Sequence, residues 1–335
     1  IWKKINDIFA NMKKNVAVLM GGFSSEKEIS LKSGEVIYQN INRSKYTPFK
    51  IVVNKEKWIY LNSENEESNV NLEDFSIISN DSKIKLEIAF IIIHGSPGEN
   101  GLIQSFFELK NIPYTGCDPY TSALTFNKSD CLSVLEKHNI PTANSFHINK
   151  NEKFKVEDII QKVGLPCFVK ANRSGSSFGV YKIYEENKLI DAIYKALKYD
   201  DEVLIESFLD GIEVSVGVMN YQKNIKVFGI TELITENDFF DYDAKYNGNS
   251  KEITPANISE KQKQIVTNLS IKIYKKLGMK GFTRSEFIII NDIVYFLEIN
   301  SVPGMTNESI FPKQAQMSGV SITQICDEII HQAII

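Results

Sequence analysis

The sequence predicts an α/β protein whose C-terminal part turns α+β, and three observations carry that prediction. First, the short apolar run Val16-Ala17-Val18-Leu19-Met20 ends in Gly21-Gly22 and is followed by Ser24-Ser25-Glu26. That order reads as a buried strand, a glycine turn and a helix opening at Ser24 or Ser25. Second, further strands at Phe49–Val53 and Glu87–Ile93 alternate with helical stretches, which implies a parallel sheet with helices on both faces. Third, from about Phe126 the pattern changes to closely spaced extended runs, the signature of antiparallel pairing. The chain has 335 residues, enough for two or three domains.

The first helix is expected to run to about Ile41 with Ile29, Val36 and Ile37 inward, and the polar stretch 62–71 to be surface loop. In open parallel sheets ligands lie beyond the carboxyl ends of the strands, where Gly21-Gly22 and His94-Gly95 both fall. Lys128 to Asn139 reads as a helix. Pro166–Lys170 and Val180–Tyr184 read as antiparallel strands around Asn172–Gly179, a loop whose serines and glycines suit phosphate. The runs Val203–Glu206, Glu213–Met219, Ile225–Ile230, Glu286–Ile290 and Val294–Ile299 are expected to form one second sheet. Residues 235–256, long, polar and aromatic, read as a lid. The chain from Ile310 onward is helical in period.

Composition narrows the function. Charged residues are 24% and hydrophobic ones 43%, and 38 basic against 42 acidic residues leave a net charge of −4. Without a basic excess there is no electrostatic footing for nucleic acid, and no apolar run approaches a membrane span. Four scattered cysteines without a CxxC indicate neither a disulfide framework nor a zinc site. A cytoplasmic protein is expected. Residues 1–12 precede Lys13 as a leader or upstream extension, without the features of a signal peptide.

Several side chains point to chemistry. Glu298 and Asn300 are two apart on an extended segment and share a face. Glu286 joins them if the hairpin centred near Asp292 has an odd loop or a bulge. Such oxygen-only ligands suit Mg²⁺ or Mn²⁺ with phosphates completing the shell; from spacing alone, a solvated acidic face is the alternative. Lys128 and Lys170, next to the serine loop, are what a nucleoside triphosphate requires, though each alone reads as a surface charge. Glu206 and Glu213 sit near a strand end, suited to ribose or a purine edge. Arg284 needs a carboxylate or an anionic ligand if buried. Glu26 complements a helix N-terminus, and His94, taken alone, reads as a satisfied core histidine.

In order along the chain stand GGFSSEKEIS (Gly21–Ser30), HGSPGENG (His94–Gly101), PYTG (Pro113–Gly116), FVKANRSGSSFGV (Phe168–Val180), EVLIESFLDGIEVSV (Glu202–Val216), FDYDAKY (Phe240–Tyr246), GFTRSEF (Gly281–Phe287) and LEINSVPGMTNESI (Leu297–Ile310). With these eight blocks the sequence resembles the D-alanine–D-alanine ligases of the ATP-grasp superfamily. The resemblance implies an N-terminal α/β substrate domain over 13–125, a central ATP-grasp subdomain over 126–214 and a C-terminal one over 215–335. It implies a reaction in which ATP phosphorylates one D-alanine and the amine of a second attacks the acyl phosphate, for peptidoglycan precursor synthesis, in a homodimer.

Roles follow from the same resemblance. Glu26, Ser176 and Tyr246 would form a network around the first D-alanine. Arg284 and the Gly304 N–H would stabilise the oxyanion, while Ser309 and Ile310 would hold the second carboxylate beside His94. Lys128, Lys170, Lys245, Ser176 and Ser177 would grip the phosphates. Glu206, Phe208, Leu209 and Glu213 would line the purine and ribose pocket. Glu286, Glu298 and Asn300 would hold two Mg²⁺ or Mn²⁺ ions between the phosphates. This sequence departs from the family at Glu286, usually Asp, at Ser174, often Glu, and at Ser207, often Lys. Ligases using D-lactate or D-serine as acceptor are the closest alternatives, and Tyr246 rather than Phe favours an amine over D-lactate. A nucleotide-binding module without activity would be expected to have lost some of these groups.

Overall fold

The computed structural model describes residues 13–176, 178–235 and 250–335. Lys14–Gly21 (β1) lies between Tyr46–Val53 (β2) and Ile88–Ile91 (β7), parallel to both. Val16, Ala17, Val18 and Leu19 are fully buried, as an apolar strand covered on both faces must be. The sheet is mixed rather than all parallel. Trp58–Leu61 (β3) and Glu67–Asn69 (β4) add antiparallel strands at one edge, in the order β4-β3-β2-β1-β7. Part of the expected surface loop 62–71 is therefore strand β4, and Ser76–Ser79 (β5) with Ser82–Lys85 (β6) forms a small hairpin beyond it.

The first helix, Lys27–Asn40 (α1), starts after Glu26 rather than at Ser24 or Ser25. Its buried face is Ser30, Ser33, Gly34 and Ile37, whereas Ile29 and Val36 are only partly covered. Small residues win because the helix presses onto the strand: a Cβ on Gly34 would stand 2.6 Å from the Met20 Cβ. The close approach lets Ser30 work as a bracket. Its hydroxyl accepts from Gly21 N–H at 2.9 Å and donates to Ile92 C=O at 2.8 Å, holding the ends of two strands together. On the other face, Leu102–Lys110 (α2) buries Ile103 and Phe107, and Pro119–Phe126 (α3) follows it.

The expected single second sheet is two sheets. One has the order β10-β9-β11-β8: Val180–Ile183, Cys167–Ala171, Glu202–Ser207 and Ser145–Asn149. Val203–Glu206 thus pairs with the strand leading into the serine loop, not with the C-terminal strands. Along β9, Cys167, Val169 and Ala171 are buried, the first two in one core with Val156–Val163 (α5) and Leu189–Ala196 (α6), so Phe168 and Lys170 face the opposite way. The helix before this sheet, Lys128–Glu136 (α4), is shorter than expected.

The other sheet has the order β14-β13-β12-β15-β16, with Ile212–Tyr221 (β12), Asn224–Thr235 (β13), Ser250–Ile253 (β14), Phe282–Ile290 (β15) and Ile293–Asn300 (β16), all antiparallel. Strand β14 falls within the expected lid stretch, so its C-terminal part is sheet. Glu260–Lys276 (α7) covers one face through Val266, Ile273 and Tyr274. Ile310–Met317 (α8) covers the other, with Phe311 against Phe228 and Phe282. Ile322–Ala333 (α9) then reaches back: Ile325, Ile329 and Ile330 share one core with Val16, Val18 and Ile37. The C-terminal helix is thereby part of the N-terminal sheet's covering layer.

Candidate active site

Two adjoining cavities, of about 420 and 570 Å³, open where the sheets meet. Lys170, Glu206, Phe208, Leu209, Glu213 and Glu286 line the larger. Glu26, His94, Arg284, Asn300, Gly304, Ser309 and Ile310 line the smaller. Lys128, Ser174, Gly175, Ser176 and Glu298 belong to both. Apart from Asn300, expected beside the phosphates but lining the smaller cavity, the described groups expected around nucleotide and those expected around amino acid fall into separate chambers that share Lys128, the serine loop and Glu298 as a common wall. Ser177, Lys245 and Tyr246 lie outside the described residues.

In the larger cavity, residues opposite one another across β9, β10 and β11 share a face. Phe168 is paired with Lys182 and Glu206, and Lys170 with Val180 and Leu204. Lys170 Nζ bonds Glu206 Oε2 at 2.6 Å. Burial pulls the Lys170 ammonium down, but Glu206, Glu298 and Glu213 outweigh it and raise its pKa above the usual lysine value. The other oxygen, Glu206 Oε1, is buried with no hydrogen-bond partner among the described residues. An orphaned carboxylate oxygen beside an aromatic floor calls for a ligand N–H. The Phe208 ring supplies that floor, 6.1 Å from Phe168 and with the Lys182 ammonium 4.0 Å above it.

The acidic pair is built by a bulge. Asn291 and Asp292 both have positive φ, a two-residue turn of the type that suits a hairpin. Such an even loop alone would misalign the acids, but the register shifts between Glu286 and Phe287 and brings Glu286 directly opposite Glu298. Arg284 stands opposite Asn300, donates to Ser215 Oγ at 2.9 Å and forms an ion pair with Glu286. Lys128 Nζ lies 3.5 Å from Glu298 and bonds the Ser174 carbonyl at 2.6 Å. No group of three or more His, Cys, Asp or Glu forms a metal cluster among the described residues. What the hairpin offers instead is two carboxylates and the amide oxygen of Asn300, a hard donor set that fits Mg²⁺ or Mn²⁺ sharing phosphate oxygens.

In the smaller cavity, Ser176 Oγ donates to Glu26 Oε1 at 2.6 Å across 150 residues. Gly175 permits this contact, because a Cβ there would stand 2.5 Å from Glu26 Oε2. His94 is 4% exposed, and both ring nitrogens are engaged. Nδ1 faces the Val302 carbonyl at 2.7 Å and so carries the proton; Nε2 then accepts from Ser33 Oγ at 3.1 Å. Burial depresses the His94 pKa against the pull of Glu26, keeping the ring neutral. Both readings of this residue hold at once: it is a satisfied core histidine and it lines the cavity.

Glu99 and Ser33 were not singled out by sequence reasoning. Glu99 is 9% exposed, lines the smaller cavity, and accepts from Gly95 N–H at 2.8 Å and Val302 N–H at 3.1 Å. Burial, reinforced by Glu26, pushes its carboxyl up to about 8 despite those two bonds. The available signal was an acid inside the glycine-rich block His94–Gly101. The four cysteines are free and buried.

Family models described as D-ala D-ala ligase N-terminus and D-ala D-ala ligase C-terminus match residues 15–117 and 134–331. The D-alanine--D-alanine ligase of Flavobacterium johnsoniae is 51% identical over 312 residues, 93% of this chain and 97% of the relative. That of Christiangramia forsetii is 46% identical, covering 96% and 99%. Among solved structures, the VanG D-Ala:D-Ser ligase from Enterococcus faecalis superposes with a TM-score of 0.84 at 30% identity, covering 96% of this chain and 99% of its own. D-alanyl-alanine synthetase A from Vibrio cholerae gives 0.85 at 28% identity, covering 96% and 98%.

Proposed function

This chain belongs to the D-alanine–D-alanine ligase family, and from that premise we propose how its residues divide the reaction. The protein has the ATP-grasp fold and is an ATP-dependent ligase that joins two D-alanines into D-alanyl-D-alanine, the dipeptide of peptidoglycan precursors. The observation that carries the division of roles is the common wall of the two cavities, formed by Lys128, the serine loop and Glu298.

ATP occupies the larger cavity in this reading. Its adenine amino group satisfies Glu206 Oε1 over the Phe208 ring, Glu213 takes ribose hydroxyls, and Lys128 and Lys170 neutralise phosphate charge. Glu286, Glu298 and Asn300 would hold two Mg²⁺ or Mn²⁺ ions. When bound, such ions neutralise charge on the phosphates as the γ-phosphoryl group moves. In the smaller cavity Glu26, oriented by Ser176, holds the ammonium of the first D-alanine. One oxygen of that D-alanine's carboxylate attacks the γ-phosphorus, ADP leaves, and an acyl phosphate remains. The second D-alanine, its carboxylate at Ser309 and the Ile310 N–H, attacks the acyl carbon through its neutral amine. Arg284 and the Gly304 N–H stabilise the tetrahedral oxyanion, and inorganic phosphate departs as the amide forms.

In this reading the lid role falls to the residues before β14, Lys245 and Tyr246 among them, which lie outside the described residues, and the domains divide near residues 125 and 214. A cytoplasmic location is consistent with the use of ATP; no helix among the described residues is long and apolar enough to cross a membrane. A homodimer is supported by exposed apolar side chains in the N-terminal part, Leu102 and Leu109 on α2 at 59% and 85% and Tyr120 on α3 at 72%.

The test is ATP-dependent phosphate release by purified protein with Mg²⁺ and D-alanine, with products identified by mass. D-Serine or D-lactate in addition to D-alanine, and L-alanine alone, run as parallel arms. Phosphate and the dipeptide from D-alanine alone are expected. Silence with D-alanine, or a mixed product outcompeting the dipeptide, overturns the reading.

A further inference from the structure

The loop from Ser301 to Ser309 carries two groups of the proposed acyl-transfer step, Gly304 and Ser309, yet little of its position is set by its own sheet. After β16 ends at Asn300, three backbone anchors come from the N-terminal part of the chain. Val302 N–H donates to Glu99 Oε1 at 3.1 Å, and Val302 C=O accepts from His94 Nδ1 at 2.7 Å. Met305 N–H donates to Ser33 Oγ at 3.1 Å, and Ser33 in turn bonds His94 Nε2 at 3.1 Å. Beyond them the loop closes on itself: Thr306 N–H and Oγ1 lie 3.1 and 2.8 Å from Ser309 Oγ. Gly304 sits between the anchored residues, close enough to Ser309 that a Cβ would lie 2.8 Å from its Oγ.

Glu99 is itself held rigidly. Its N–H donates to Gly95 C=O at 2.9 Å while its Oε2 accepts from Gly95 N–H at 2.8 Å, closing a ring within the glycine-rich block. The neighbouring Gly98 cannot be replaced without moving this ring, since a Cβ there would stand 2.0 Å from Ile93 O. One carboxyl group therefore joins two loops 203 residues apart in sequence.

We infer that Glu99 is a positioning residue for acyl transfer: with His94 it clips the Ser301–Ser309 loop to the N-terminal sheet and sets where the Gly304 N–H and Ser309 stand. The kinetic part rests on the proposed roles of Gly304 and Ser309; the clip itself does not. The nucleotide cavity shares no lining residue with the clip, so ATP binding is independent of it.

Glu99→Gln tests this. The amide is close in size but has one acceptor, so its NH₂ must face either the Gly95 or the Val302 N–H and one arm of the clip opens. Hydrogen exchange of the segments spanning residues 93–99 and 299–309 reads both arms of the clip without reference to turnover, and the opened arm is expected to speed exchange about tenfold or more at either the Gly95 or the Val302 amide. Kinetically, kcat is expected to fall about tenfold and the KM of the second D-alanine to rise by a similar factor, with the KM values of the first D-alanine and of ATP within about twofold. Glu99→Asp keeps both acceptors one methylene short and is expected to lie between. Exchange unchanged in both variants overturns the clip. Losses spread equally over ATP and both D-alanines overturn the positioning role. A wild-type protein that forms no dipeptide overturns the functional reading alone, since the exchange result still decides the clip.

Discussion

Around the larger cavity most charged groups stand on strands, Lys170 on β9, Glu206 on β11, Glu286 on β15 and Glu298 on β16, with Lys128 at the start of α4 an exception. Around the smaller cavity most of the polar groups stand on loops or helix ends, with Glu26 preceding α1, His94 and Glu99 following β7, and Gly304 and Ser309 following β16. Pairing along a strand fixes a side chain's direction through register, so the first set is preorganised by the sheets that carry it. The second set is held by hydrogen bonds that cross the chain, side chain to side chain as in Ser176 to Glu26 or side chain to backbone as in Glu99 to Val302. A fault in a strand-borne group should therefore remove one function cleanly, and a fault in a loop-borne group should spread to its neighbours.

The largest effect is expected where the two cavities meet. Glu298 belongs to both, lies opposite Glu286 and is 3.5 Å from Lys128. Glu298→Gln should lower kcat about 10³-fold, the scale of several kcal/mol of transition-state charge stabilisation. Initial rates at saturating substrates across a Mg²⁺ titration check this; full recovery at high Mg²⁺ would show a role in affinity alone. Glu26→Gln comes next. It removes the charge proposed to face the first D-alanine's ammonium and weakens the Ser176 contact, so the KM of that D-alanine should rise about 10²-fold. Unlike a strand-borne fault, this one should also loosen the serine loop, raising the KM for ATP several-fold.

This contrast also describes how much could be read from the sequence. Strand periodicity placed Glu298 and Asn300 on one face, because alternation is a local rule. It also identified the condition under which Glu286 joins them, and the bulge between Glu286 and Phe287 meets it. Which strands share a sheet was not legible. Val203–Glu206 was grouped with the C-terminal run, yet it pairs with β9, and nothing within those four residues encodes the partner. The inward face of α1 was misread for a related reason. Ser30, Ser33 and Gly34 are buried by close approach to Met20, and smallness at a contact does not register as hydrophobicity. Glu99 was missed because its meaning lies in a partner 203 residues away.

A smaller effect sharpens the strand-borne side. Glu206 uses one oxygen on Lys170 and leaves the other buried without a partner among the described residues. Glu206→Gln preserves shape but replaces a charged acceptor, and it weakens the bond to Lys170. The KM for ATP should rise about tenfold with kcat and both D-alanine KM values nearly unchanged. Competition by GTP measures the same contact from the ligand's side. A guanine presents a carbonyl where adenine has its amino group, so wild type should reject GTP and the variant should reject it less.

The smallest effect concerns stability, and its sign separates two buried groups of the same loop. The Glu99 carboxyl is raised from 4.5 to about 8, chiefly by burial and then by Glu26, so the folded chain retains a proton that the unfolded chain releases. Stability from this group is fully present below pH 4.5 and is lost as pH rises toward 8, with a slope of at most ~1.4 kcal/mol per pH unit. His94 works in the other direction. Burial lowers its pKa below 6.5, so its contribution is present at higher pH and is lost as pH falls through that depressed value. Glu99→Gln should therefore flatten the decline between pH 4.5 and 8 and leave the acid-side limb of His94 in place. In thermal melts across that range, the difference between variant and wild type should grow by about 1–3 °C per pH unit. A constant offset at every pH would mean that Glu99 enters the folded state with its ordinary carboxylate titration, and that the two backbone N–H groups of Gly95 and Val302 compensate its burial in full.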